Sequence, residues 1–173
     1  FALALVPRLA HLDRGLRHQP EYDERIFVET TLEMMARGDW DHRFYEYPGL
    51  LIWILRIVFS AAGVSGGQAY LAARLLMALA SALTVPLLFV AAAKRVSPGA
   101  GLAAGLLLAL SPIEIETVHM FRPDTIIAPF LFAALACASS GRTRLAWTLA
   151  TIATALKFSA ALVFAPLIAS ALM

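Results

Sequence analysis

Residues Ala69 to Ala93 (AYLAARLLMALASALTVPLLFVAAA) form an apolar run broken by a single charge, Arg74. The run is longer than an ordinary core helix needs and matches the roughly 20 residues that carry an α-helix across a bilayer. Two further apolar stretches follow, Gly99 to Pro112 and Pro123 to Ser139. A last one, Leu145 to Met173, is interrupted by Lys157 and reads as two short helices meeting near that lysine. The chain has 173 residues, of which 60% are hydrophobic and 15% charged, with mean hydropathy +0.75. A soluble domain carries about a quarter charged residues, so this is an integral membrane protein of all-α class, a polytopic transmembrane helix bundle.

Composition also excludes several functions. Disorder does not fit so apolar a chain. The net charge of +2 and the pI near 9.0 do not argue for nucleic acid, because Lys and Arg at helix ends report membrane topology. The single Cys137 rules out an internal disulfide and any CxxC site. Neither a P-loop, a GxGxxG nor an internal repeat occurs. Phe1 is not an initiator Met, and Met173 lies inside an apolar run. The opening FALALVP is too short to span and carries no cleavage pattern. Both ends are expected to be cut from a longer polytopic protein.

The polar block from Arg8 to about Tyr47 holds most of the acidic residues. Within it, DERIFVETTLEMMARG (Asp23 to Gly38) predicts an amphipathic helix that starts on a carboxylate and stops at glycine. Pro48 to Gly63 is helical but short, with Arg56 in its middle. The basic loops at Lys94–Arg95 and at Arg142 and Arg144 flank a hairpin that crosses twice, which places both on the cytoplasmic side. Glu114 to Asp124 is then outside. If Pro48 to Gly63 spans, the two acidic segments face opposite compartments. If it lies in the outer interface, as its length and Arg56 favour, they face each other and Lys157 joins them. Gly101 and Gly105 form a GxxxG, and Pro86 and Pro129 interrupt spans; helix packing accounts for all four.

Ionisable residues at membrane depth are costly and mark candidate sites. Asp23 and Glu24 form one group, Glu46 in FYEYPGLL a second, and Glu114, Glu116, His119, Arg122 and Asp124 a third. Arg74 and Lys157 lie near the outer ends of their helices. Carboxylates beside separate basic groups suit a lipid-phosphate leaving group: cations neutralise the phosphate while a carboxylate takes a proton from an incoming hydroxyl. An ordinary carboxylate suffices, because the hydroxyl loses its proton only as the new bond forms. Each residue also has a plainer role. Asp23 can cap a helix, Arg74 can snorkel, and the Glu114, Glu116 and His119 set is a loose metal-ligand pattern of a kind common in polar loops.

The order of motifs adds to this. QPEYDE, then RGDW…FYEYPGLL, SPIEIETVHMFRPDTIIAPFLFAAL and ATALKFSAALVFAPL resembles the protein O-mannosyltransferase family and its bacterial relatives, the lipid A aminoarabinose transferases among them. The resemblance covers about residues 20 to 170. It implies a GT-C-type glycosyltransferase that uses a polyprenyl-phosphate sugar. It further implies that Asp23 is the catalytic base with Glu24 beside it, and that Glu46, Arg122, Asp124 and Lys157 fall on the family's positions. Tyr47 departs from relatives with Lys there, and other relatives have His-Pro-Pro in place of EYPG.

The expected organisation is one membrane-embedded domain over 1–173. Residues 1–19 end a first helix, 20–67 form an extracytoplasmic loop with juxtamembrane helices, and 68–173 are transmembrane. The expected reaction moves a sugar from a polyprenyl-phosphate donor to a hydroxyl acceptor, with inversion. The acceptor is a protein, lipid or glycan, and the active site faces outward from the inner membrane. Arg74, Arg122 and Lys157 would hold the phosphate, while Glu24, Glu46 and Asp124 orient the acceptor or the cations. Membrane lipids are partners and nucleic acid is not. The scheme requires no cofactor, although some GT-C relatives bind a divalent metal. The alternatives are a transporter or channel subunit with an ionisable path, and a non-catalytic scaffold that binds the lipid carrier.

Overall fold

The computed structural model describes residues 1–16 and 20–172, and among these every regular element is helical. The predicted amphipathic helix is α2, Tyr22–Arg37, and it ends at Gly38, whose φ of 73° lies in the left-handed region. Its buried face carries Glu24, Phe27, Val28, Thr31 and Met34. Next comes α3, Leu50–Ala62, closed by Gly63 in the same left-handed conformation. At 13 residues, α3 is about 20 Å long, well short of a hydrocarbon core of about 30 Å.

Arg56 explains how a cation sits inside so apolar a segment. It donates to the carbonyls of Met34 and Asp39 and stacks on the Trp40 ring, 4.2 Å from its centre. The helix is thereby tied to the end of α2 and the polar loop after it. That loop is ordered by its own charges. A hydrogen bond from Arg37 holds the Asp39 carboxyl below the usual range, and one from the Tyr45 hydroxyl does the same for Asp41.

The spine of the molecule is α4, Gly67–Arg95. It is the one helix among the described residues long and apolar enough by itself to cross a membrane. Its exposed side carries Leu71, Leu75, Leu79 and Leu83, a stripe at four-residue spacing. Its packed side is small, with Ala69, Ala73, Ala78, Ser81 and Ala82 buried. This inverts the soluble pattern and suits a helix whose outer face meets lipid.

Against α4 pack α1 (Ala2–Leu9), α5 (Pro98–Ala109) and α7 (Pro123–Ala138), while α8 (Thr143–Leu156) packs on α7. Several full-length spans were expected; the helices after α4 are shorter. Prolines set the breaks: Pro98, Pro112 and Pro123 each open a helix, where a missing N–H costs nothing. Consequently α5 and α6 (Pro112–His119) meet at a 47° bend, and together they reach spanning length only as a bent pair. The loop predicted at Glu114 to Asp124 is thus largely helix, capped by the Ser111 hydroxyl. The last apolar stretch breaks where expected. Lys157 is extended at the end of α8, followed by a 3-10 segment, Phe158–Val163, and α9, Phe164–Leu172.

The GxxxG is a contact surface with unequal members. A Cβ built on Gly101 would lie 2.7 Å from the Phe89 carbonyl oxygen, whereas one on Gly105 would meet nothing closer than 3.6 Å. Gly101→Ala is therefore expected to destabilise the α4–α5 packing by about 1–3 kcal/mol. Gly105→Ala should be neutral or slightly stabilising, since alanine favours helix. Thermal melting of the two solubilised variants separates them; equal melting would mean that the α4–α5 approach is looser than described.

Candidate functional site

Two ion pairs join the ionisable residues that the sequence singled out. Glu24, in the first turn of α2, meets Arg74, two turns into α4. The two bonds of this fork measure 2.5 and 2.8 Å, and neither side chain is more than 2% exposed. The remaining guanidinium donors reach the carbonyls of Leu12, at 2.8 Å, and Arg14, at 2.7 Å. Burying two charges is costly unless geometry and hydrogen bonding compensate, and here four of the five guanidinium N–H groups are bonded. Arg74 thus holds Glu24 and the segment before α2, while its edge also lines the polar cavity described below.

The second pair is different in kind. Lys157 Nζ lies 2.7 Å from each oxygen of Asp124. Asp124 sits in the first turn of α7, where a carboxylate complements the helix dipole. Lys157 occupies the break after α8, where its extended backbone removes it from either helix. The carboxylate is more than half exposed, so this pair is open to exchange where Glu24–Arg74 is closed.

Other candidates stand around an aromatic cluster. Phe27, one turn after Asp23, packs its ring 5.2 Å from Tyr47, 5.9 Å from Phe121 and 6.1 Å from Phe44. The rings come from α2, the loop before α3 and the turn after α6, so Asp23, Glu46 and Arg122 belong to three segments that pack on one centre. Asp23 is half-buried, Glu46 and Arg122 are exposed, and none of the three has an ion-pair partner among the described residues. Gln19, which opens the QPEYDE motif, lies outside the described residues.

The third group divides. On α6, Glu114 and Glu116 are two residues apart and so point to opposite sides. Glu114 turns toward Ser81, 3.5 Å away, while Glu116 and His119 line a small polar cavity of about 180 Å³ with Arg14, Glu21 and Arg74. Among the described residues no three His, Cys, Asp or Glu side chains come together as a metal site would need.

Sequence reasoning missed Arg8. Fully buried, it donates to Ser81 Oγ at 2.7 Å, to the carbonyls of Ala4 and Ala109 at 2.8 and 3.0 Å, and to Leu108 at 3.1 Å. It thereby satisfies the open carbonyls at the end of α5 and fixes the bend into α6. An arginine closing an apolar segment was the available signal. An apolar groove of about 550 Å³ runs between α3, α4 and α7, lined by Ile54, Leu76, Leu83, Ile126 and Phe130 among others.

A helical chain with one long apolar helix and paired charges near its helix ends is consistent with a membrane-embedded protein. A family model described as dolichyl-phosphate-mannose-protein mannosyltransferase matches residues 47–173, well over half of the chain. The chain belongs to that family, and with it to the membrane glycosyltransferases. No curated protein and no solved structure matches it. The match begins at Tyr47, so Asp23, Glu24 and Glu46 precede it, whereas Arg74, Arg122, Asp124 and Lys157 fall within it.

Proposed function

We propose that the chain is part of a polytopic glycosyltransferase that moves a sugar from a polyprenyl-phosphate carrier to a hydroxyl acceptor, with its active site at the extracytoplasmic face. The observation that carries this reading is the exposed Lys157–Asp124 pair at a break in an apolar segment, within a family of mannosyltransferases. A lysine held by one carboxylate at the membrane surface can pass to an incoming phosphate, because the anion offers equal charge and more oxygens. Arg122, exposed and two residues from Asp124, adds a second cation.

Chemically, Asp23 accepts the acceptor's hydroxyl proton as its oxygen bonds to the anomeric carbon. The bond from that carbon to the phosphate oxygen breaks, and the electron pair leaves with the polyprenyl phosphate. Attack opposite the leaving group inverts the anomeric centre. Glu24 does not touch the sugar in this scheme: pinned by Arg74, it fixes the first turn of α2 and so the direction of Asp23, its neighbour. The α2–α3 unit rests in the outer interface, consistent with the shortness of α3 and the tether of Arg56 to the polar loop. The apolar groove beside it would take the carrier's chain. The scheme routes no step through a metal.

The test is transfer from a labelled polyprenyl-phosphate sugar in membranes that contain the chain within its full-length protein. A product of inverted anomeric configuration is expected. A product of retained configuration overturns the single-displacement mechanism, and solute flux in proteoliposomes with no glycosidic product overturns the enzyme reading altogether.

A further inference from the structure

The end of the bundle away from α2 has a property that the reaction does not use. All 12 acidic residues fall at or before Glu46 or between Glu114 and Asp124. The loops at the end of α4 and at the start of α8, with the helix turns that flank them, hold Lys94, Arg95, Arg142 and Arg144, all exposed, with no acid among them. The structure ties these loops together: Lys94 donates to the Ser140 hydroxyl, and Arg95 donates to that of Ser139 at 2.7 Å. Two short loops thus become one patch of four cations.

Local structure explains only half of it. Lys94 and Arg95 stand in the last turn of α4, where the helix dipole favours a cation. Arg142 and Arg144 stand at the start of α8, where the dipole opposes them and a carboxylate would be preferred. Among the described residues neither side chain has a hydrogen-bond or ion-pair partner. They border a shallow concavity with Gly141, Thr143 and Leu145. Depth also matters. With 29 residues, α4 is about 43 Å long, enough to carry its basic end through the hydrocarbon into the headgroup layer.

We propose that Lys94, Arg95, Arg142 and Arg144 form a docking surface for the phosphate of an anionic phospholipid. A membrane surface supplies the negative charge that this end lacks, at the depth where α4 places it. Three of the four cations are arginines, whose planar donors can bond two phosphate oxygens at once. Membrane orientation requires only that positive charges be present on one side; the serine ties go further and gather them in one place.

The test uses the purified full-length protein that contains the chain, in neutral detergent, offered phosphatidylglycerol or phosphatidylcholine, with retained lipid read by native mass spectrometry. Phosphatidylglycerol should be retained about tenfold or more over phosphatidylcholine, a preference that fades as salt rises. Arg142→Gln with Arg144→Gln should abolish most of the preference, and the corresponding double change to Lys should keep most of it. Equal retention of the two lipids by the unaltered chain overturns the proposal, whether or not a variant folds. So does an undiminished preference in the Gln variant. Displacement of the lipid by millimolar inorganic phosphate would make the patch a free-anion site and equally overturn a lipid surface.

Discussion

Arg74→Ala is expected to destabilise the fold by about 3–5 kcal/mol, the largest effect of any single substitution among the candidate site residues. The cause is what remains behind. Glu24 is 0% exposed, and without the guanidinium it becomes a buried carboxylate facing no cation. The carbonyls of Leu12 and Arg14 lose their donors at the same time. Removing both partners should be far milder: Arg74→Met with Glu24→Leu leaves no orphaned charge and is expected to recover most of the loss. Thermal melting of the single and double variants decides the matter. A loss below about 1 kcal/mol in the single variant, or a double variant as unstable as the single, would sink the account.

Asp23→Asn should separate chemistry from stability. The amide keeps the shape of the carboxylate but cannot accept the acceptor's proton, so turnover is expected to fall by about 10²–10⁴-fold. Melting should stay unchanged, because Asp23 is half-buried and has no ion-pair partner among the described residues. Donor KM should also hold, since the phosphate is assigned to Lys157 and Arg122. This pattern is opposite to that of Arg74→Ala, where stability and activity are lost together. Turnover within twofold of the unaltered protein removes Asp23 from the reaction.

Several elements were legible before any coordinates. The amphipathic period and the glycine stop located α2 to within a residue at either end. The lysine in the last apolar stretch marked the break between α8 and the 3-10 segment. The GxxxG spacing named a helix contact, although only Gly101 is tightly held in it. The bend between α5 and α6 was less legible. A proline after a serine starts a helix as readily as it ends one, and the apolar run alone does not say which.

The candidate site was legible as a set of residues and not as an arrangement. Glu24, Arg74, Asp124 and Lys157 each stood out, because an ionisable group near hydrocarbon needs a reason. Their partners did not: 50 residues separate Glu24 from Arg74, and 33 separate Asp124 from Lys157. Arg8, and the partners of Arg56, went unread for a related reason, since the carbonyls that receive them carry no mark in a side-chain pattern.

The sequence by itself determined what is local or periodic: an all-helical chain that belongs in a membrane, the places where helices stop, and the ionisable residues that stand out beside apolar segments. Hydropathy and helix period act within a few turns, so neighbouring residues suffice to read them. Only the tertiary structure decided which charge each ion meets. Arg74 turned inward to brace Glu24, while Lys157 stayed at the surface on a half-exposed carboxylate. The physical reason is burial. One guanidinium lies buried, where protein groups must supply most of its partners, and one ammonium lies where an exchangeable partner is enough.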